Sequence, residues 1–397
     1  MEAWDPDRPL PVWRRVLASA GWAAPSWPAR WHGRGLAAWA DEIVSVELRR
    51  VGAVGPPIGS GMALAAPTIL VHGPDSARER FLWPILTGEE TWCQLFSEPG
   101  AGSDLAGLST RAVLDGDEWV VSGQKVWNTS AHHADFGLLL ARTDWDVPKH
   151  QGITYFVLPM CQRGVIVRPL RQMNGYASFN EVFLDEARVP AAFVIGAPGG
   201  GWASARTTLD HERRFGALRA GAYGSASGRT LDEARAEAAE HFAPYVWYPQ
   251  RAGRVDLLVD RAHAAEVAND PLIRQEAARA WIHHRVGTWT ADRARAKRAV
   301  GRQPGAEGSV GKLGLSHVAR AAASAHSSIV GASGMLAGAD APLDGLITEV
   351  LTSAPAQSIA GGTDEIQRTI IGERVLGLPR EPAADADRPF RDLPRNG

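Results

Sequence analysis

Cysteine is scarce. The 397-residue chain has only Cys93 and Cys161, with no metal-ligand spacing between them. This excludes a cysteine-held metal centre and reads as reduced thiols in a cytoplasmic protein. Net charge is nearly absent too: a formal −2 at pH 7 removes the electrostatic case for nucleic acid or an anionic membrane as partner. No apolar run approaches the roughly 20 residues that a membrane span requires. Met1–Arg15 is polar and carries Asp5, Asp7 and Arg8, unlike a secretory leader. His211, His132-His133 and His283-His284 lack a Cys or carboxylate at ligand spacing, so no metal is expected. There is no internal repeat and no long Ser/Gly linker.

What remains is an ordinary globular composition, 45% apolar and 22% charged, with an unusual 15 tryptophans. The length suits two or three domains. Residues 1–90 have helical spacing over Val12–Gly21, Leu36–Gly52, Met62–His72 and Ser76–Leu86, with Gly and Pro breaking the runs. Residues 91–198 alternate in short segments: Trp92–Phe96, Thr110–Leu114, Trp119–Gly123, Phe136–Arg142, Thr154–Leu158, Val165–Pro169 and Phe179–Leu184. That pattern predicts an antiparallel sandwich or small barrel. Residues 199–397 return to helix, over Trp202–Phe242, Pro271–Ala299, Lys312–Val330, Leu343–Leu351 and Thr363–Leu376. Gly196–Gly201, a glycine cluster before a helix, is a weak candidate for phosphate.

The densest chemistry lies between Leu95 and Thr129. Ser97–Asp104 (SEPGAGSD) is a tight loop rich in hydroxyls and in backbone N–H groups that glycine leaves accessible. A hairpin turning at Asp115-Gly116 follows, then Trp127-Asn128-Thr129. Together with Met173–Pro190 (MNGYASFNEVFLDEARVP) and Gly361–Gly377 (GGTDEIQRTIIGERVLG), these segments have the order and spacing of the acyl-CoA dehydrogenase family, which the chain resembles over roughly residues 10–380.

The resemblance implies an N-terminal α-helical domain, a central antiparallel β domain and a C-terminal four-helix bundle, with FAD as cofactor. It implies that a helix preceding Gly21–Pro28 is missing or very short, which leaves one side of the N-terminal domain uncovered. Ser97, Gly102, Ser103, Trp127, Asn128 and Thr129 match flavin-contacting positions. Thr363 matches one near the diphosphate and Glu365 one near the adenosine, although helix capping alone explains both. Two features depart from the family. Its Arg-x-x-Phe-Gly segment is absent, and Arg274 is the available substitute. Its Gln-x-x-Gly-Gly segment reads Ser328–Ala332 here.

The catalytic base also departs from the commoner pattern. Where many members carry Tyr-Glu-Gly-Thr, this chain has Ala360-Gly361-Gly362-Thr363. Isovaleryl-CoA and long-chain dehydrogenases place the glutamate on the first helix of the C-terminal domain, before an arginine. The matching string is Leu209-Asp210-His211-Glu212-Arg213. The resemblance therefore implies that Glu212 removes the α-proton of an acyl-CoA while the flavin takes the β-hydride, giving an enoyl-CoA. Asp210 and Arg213 match positions bracing the pantetheine arm, Ser103 matches one near the thioester, and Gly361 matches the position whose backbone N–H donates to the thioester oxygen in the family. Electrons are expected to pass to an electron-transfer flavoprotein, from a homodimer or tetramer that a related chain can join. Two alternatives stay open: a flavin oxidase or monooxygenase of the same fold, and a subunit that completes a partner's active site.

Overall fold

The computed structural model describes residues 4–218, 227–299, 306–382 and 386–394. The chain divides into two compact units. One contains residues 1–171, 177–243 and 383–397; the other contains 172–176 and 244–382.

The first unit opens with helices α1 (Leu10–Ser19), α2 (Trp39–Arg50), α3 (Ala66–His72) and α4 (Asp75–Thr87). A π-helical turn over Gly61–Ala65 leads into α3. The strands are β1 (Trp92–Leu95), β2 (Arg111–Asp115), β3 (Glu118–Thr129), β4 (Phe136–Arg142), β5 (Ile153–Pro159), β6 (Val165–Leu170) and β7 (Phe179–Pro190). They form one seven-stranded sheet in the order β1-β4-β2-β3-β7-β6, with β5 also on β4.

The sheet is mixed, where the alternation predicted purely antiparallel pairing. β1 runs parallel to β4, with Trp92 opposite Phe136, and β2 meets β4 in parallel at Arg111 and Arg142. The chain enters β1 from α4 rather than through a hairpin, and such an entry permits the parallel sense. β4 is buried throughout. Leu138 and Leu140 join a core with α3 and α4, whereas Leu139 and Ala141 join a second core with β3 and β7. Period-two alternation thus places an apolar layer on each face of the sheet.

β3 and β7 extend well beyond the predicted segments. Gly123, expected to end its strand, lies inside β3 at a bulge; a Cβ there would come 2.5 Å from Thr110 Oγ1. Glycine in a strand interior marks such a close approach as readily as it marks an end.

The helix expected over Trp202–Phe242 is two: α5 (Gly201–Leu218) and α6 (Arg229–Phe242). Before α6, Gly228 adopts φ +139° and presses on Pro6, where a Cβ would come 2.6 Å from the proline ring. Both helices fall in the first unit.

The second unit holds α7 (Tyr248–Arg251), α8 (Leu258–Ala264), α9 (Pro271–Ala299), α10 (Glu307–Val330), α11 (Leu346–Ser353), α12 (Pro355–Ile359) and α13 (Asp364–Arg374). The long helices α9 and α10 pack lengthwise, and α10 also meets α8, α11, α12 and α13. Their core includes Leu258, Ile273, Ala280, Val318, Ala322 and Ile329. Among the described residues no helix is long and apolar enough to cross a membrane.

Candidate active site

The Ser97–Asp104 loop hangs on one buried carboxylate. Glu98 Oε2 accepts from Ser109 N at 2.7 Å and from Ser109 Oγ at 3.1 Å, and Oε1 accepts from Thr110 N at 2.9 Å and from Lys125 Nζ at 2.8 Å. Burial alone would push the Glu98 carboxyl up. The Lys125 charge and the hydrogen bonds from Lys125, Thr110 and Ser109 outweigh it and hold the group at about 2. Glu98 and Ala101 also exchange backbone hydrogen bonds, which close the turn. The loop tip faces outward: Gly102 and Ser103 are exposed, and space is open where a Gly102 side chain would stand.

β3 ends in Trp127-Asn128-Thr129. Trp127 has φ +63°, a left-handed conformation that costs a bulky residue about 1–2 kcal/mol, yet its indole is 56% exposed and meets Phe179 edge-on. Next to it Asn128 is buried. Its Nδ2 donates to the Gln94 carbonyl at 2.8 Å, and its Oδ1 has no partner among the described residues. Thr129 is half-buried.

α5 brings Glu212 to these elements. Its rotation is fixed one turn earlier by buried hydroxyls, since Thr208 Oγ1 lies 2.8 Å from Thr68 Oγ1 and 2.9 Å from the Tyr155 hydroxyl. Glu212 is half-buried, and its Oε2 accepts from Gln94 Nε2 at 3.1 Å. Gln94 therefore touches both Glu212, through its side chain, and Asn128, through its carbonyl. Asp210 is exposed on the same helix. The Arg213 side chain lies outside the described residues.

The other expected residues belong to the second unit. Gly361 and Gly362 both have positive φ, at 68° and 89°, so the chain reverses immediately before α13. Thr363 caps that helix, its Oγ1 accepting from Ile366 N at 3.4 Å. Glu365 is exposed and sits 3.4 Å from Arg368. Arg274 is exposed on α9. A Cβ on Gly361 would lie 3.9 Å from Lys312 Cε, and Lys312 Nζ donates to the Gln357 carbonyl at 2.5 Å. Burial pulls the Lys312 ammonium below its ordinary value.

One expectation is not met. The Gly196–Gly201 cluster is no phosphate cradle: Gly199 N donates to Thr154 Oγ1, Gly200 N donates to the Ala197 carbonyl, and Gly201 abuts β5, where a Cβ would come 2.6 Å from the Thr154 carbonyl carbon. No His, Cys, Asp or Glu group among the described residues could hold a metal.

The donor set of the first unit fits a flavin. A flat aromatic held outward in a strained conformation, a buried amide oxygen awaiting a donor and a half-buried hydroxyl stand in sequence beside a loop with open backbone. Sequence reasoning missed Gln94, Glu98 and Lys125. A signal for Gln94 exists: it is the one polar residue in the run Trp92-Cys93-Gln94-Leu95-Phe96.

Comparison with known proteins agrees across the chain. The patterns described as acyl-CoA dehydrogenase N-terminal, middle and C-terminal domains match residues 1–89, 93–187 and 252–376. Acyl-CoA dehydrogenase FadE34 of Mycobacterium tuberculosis is 41% identical over 367 residues; the match takes in 92% of this chain but only 46% of that longer protein. Acyl-CoA dehydrogenase IpdE1 of the same organism is 38% identical over 373 residues, 93% of this chain and 88% of the relative. Among solved structures, the Tcur3481-Tcur3483 steroid ACAD superposes with a TM-score of 0.65 at 26% identity, over 94% of this chain and 89% of that one.

Proposed function

The chain belongs to the acyl-CoA dehydrogenase family, and on that premise we propose that it converts an acyl-CoA thioester to the trans-2-enoyl-CoA, with FAD as cofactor and Glu212 as base. The observation that carries this reading is the junction at Gln94, which joins the Glu212 carboxylate to Asn128 of the Trp-Asn-Thr segment.

Ser97, Gly102, Ser103, Trp127, Asn128 and Thr129 would hold the flavin end, and Arg274, Thr363 and Glu365 the diphosphate and adenosine. Bound FAD supplies the two-electron acceptor. Glu212 takes the α-proton on a carboxylate oxygen, and the helix delivers that carboxylate in one orientation because Thr208 is locked below it. The Gly361 N–H donates to the thioester oxygen and so favours loss of that proton. Asp210 and Arg213 brace the pantetheine arm, with Ser103 near the thioester. An electron-transfer flavoprotein reoxidises the enzyme.

Anaerobic stopped-flow bleaching of the flavin by substrate tests the reading. Glu212→Gln keeps the shape of the side chain and removes its basicity. FAD content should stay at the wild-type level while flavin reduction falls about 10²–10⁴-fold. An unchanged rate would leave Glu212 as a helix-surface residue. Rapid reoxidation in air would instead favour the oxidase alternative.

The similarity to a steroid ACAD supports a bulky, ring-bearing acyl group as the substrate class. A panel of straight-chain and steroid-derived acyl-CoA thioesters checks it: kcat/KM should be higher for the latter. The same relative is designated by a pair, Tcur3481-Tcur3483, and this chain lacks the Arg-x-x-Phe-Gly segment. Both support a second reading, in which the chain works beside a related chain. Co-expression with such a chain should raise FAD per protomer and shift the mass in light scattering; a chain fully loaded with FAD by itself opposes this reading.

A further inference from the structure

We propose that Gln94 is a positioning residue for the base: its side-chain amide orients the Glu212 carboxylate and favours its ionised form, while its backbone ties that carboxylate to Asn128. The inference rests on the reading of Glu212 as base.

The starting observation is a residue out of place. β1 otherwise reads Trp92, Cys93 and Leu95, all buried. A polar side chain in such a strand is unfavourable unless it finds a partner. Gln94 finds one 118 positions away, donating from Nε2 to Glu212 Oε2 at 3.1 Å. The strand is firmly set, paired in register with β4 through Gln94 opposite Leu138. Glu212 is thus held from two sides, by the Thr208 hydroxyl cluster that fixes its helix and by an amide on a rigid strand.

The chemistry of the donor matters. An amide N–H can only donate to a carboxylate oxygen, so the contact is strongest when Glu212 is ionised, which is the form a base must have before it accepts a proton. The described titratable groups on neighbouring elements are engaged as follows. His72 on α3 shares a hydrogen bond with Thr207, and burial lowers its basicity. Tyr155 on β5 is committed to Thr208, and burial pushes its hydroxyl up. Burial also pushes up the thiol of Cys93, which neighbours Gln94 in the strand. Arg206, Asp210 and His211 are carried by α5 itself. The Asn128 hydrogen bond ends on the Gln94 main chain, so substitution of the side chain leaves it in place.

The test uses Gln94→Met, which keeps the length and removes the donor. The Glu212 carboxyl is followed by ¹³C NMR titration without FAD, its signal identified by loss in Glu212→Gln; flavin reduction is followed in the loaded enzyme. The titration midpoint of Glu212 should rise by about one pH unit, the magnitude of one hydrogen bond to a charged group. The acid limb of flavin reduction should move up with it, and the limiting rate should fall about tenfold at wild-type FAD content and nearly unchanged KM. Gln94→Glu should raise the midpoint further, by like-charge repulsion. If Gln94→Met does not fold, Gln94→Asn withdraws the donor by one methylene and should show the same shift. A wild-type midpoint and rate in the folded variant, alongside an inactive Glu212→Gln, overturns the inference and leaves the base reading standing. A wild-type rate in Glu212→Gln overturns both.

Discussion

Glu98→Gln should unfold the first unit far more easily than one lost charge on a surface would. The Glu98 and Lys125 side chains are 6% and 0% exposed, and the carboxylate accepts from four donors. A glutamine amide reproduces the Oε2 side, accepting from Ser109, but turns an NH₂ towards Thr110 N and the Lys125 ammonium. The latter keeps only the Phe96 carbonyl, at 3.0 Å, and is left as a buried charge without its counter-ion. Breaking such a pair costs about 3–5 kcal/mol. The displacement of the carboxyl from 4.5 to about 2 gives a compatible value of about 3 kcal/mol at neutral pH. Urea unfolding, followed by circular dichroism and tryptophan fluorescence, reads the difference, with coincident transitions as the check on its meaning. Adding Lys125→Met should restore more than half of the loss, because it removes the orphaned charge.

The pH dependence has a definite sign. Glu98 is depressed in the folded state, so its contribution is complete above about pH 4.5 and is lost as pH falls towards about 2. The gap between wild type and Glu98→Gln should therefore be flat at neutral pH and close across that acid window. A gap below about 1 kcal/mol at pH 7, or one that persists unchanged to pH 2.5, would refute the argument that this pair holds the loop.

Three further outcomes follow from the same geometry. Trp127→Gly should raise the FAD dissociation constant about tenfold, through loss of the ring, while thermal unfolding without FAD stays level or rises because the left-handed strain is gone; a loss of stability without FAD would contradict that strain. Tyr155→Phe removes one buried hydroxyl from the Thr208 cluster and should cost about 1–2 kcal/mol in urea unfolding, with a smaller slowing of flavin reduction. Gly361→Glu, offered as a second base in the Glu212→Gln background, should recover little activity and should lower stability by about 1–2 kcal/mol, since φ at this position is +68°.

The parts of the fold that could be read from sequence are those in which local pattern and tertiary packing agree. β4 was found to the residue because an unbroken apolar run suits a strand covered on both faces. α9 was found to the residue because Pro271 starts it. The failures have equally local causes. Gly123 reads as a stop, but its missing side chain serves the approach of Thr110. The apolar spacing of Trp202–Phe242 runs on through a helix break because periodicity does not register the non-helical backbone of Gly228, with φ +139°. The site divides in the same way. Ser97–Ser103, Trp127–Thr129 and Glu212 lie in segments that carry the family pattern, so the sequence itself singles them out. Gln94 and Lys125 act through contacts across 118 and 27 positions, and nothing in their immediate sequence points to the partner.

Two left-handed residues bear on the proposed assignment of Glu212 as base. At Trp127 the chain accepts strain in order to present a ring, and Asn128 anchored on Gln94 helps hold the backbone there. At Gly361 the chain avoids strain: two successive glycines take positive φ and turn the backbone into α13, with Thr363 capping the helix at once. A glutamate at 361 would add left-handed strain and would stand beside the half-buried Lys312, whose ammonium favours a carboxylate that has not taken up a proton. Such a neighbour lowers the proton affinity of a base. Glu212 sits in the regular backbone of α5, without left-handed strain. The Gln94 amide donates to its Oε2 without bringing a charge, and the helix is fixed by the Thr208, Thr68 and Tyr155 hydroxyls. On the reading of Glu212 as base, this geometry holds the carboxylate in one orientation at no cost in backbone strain.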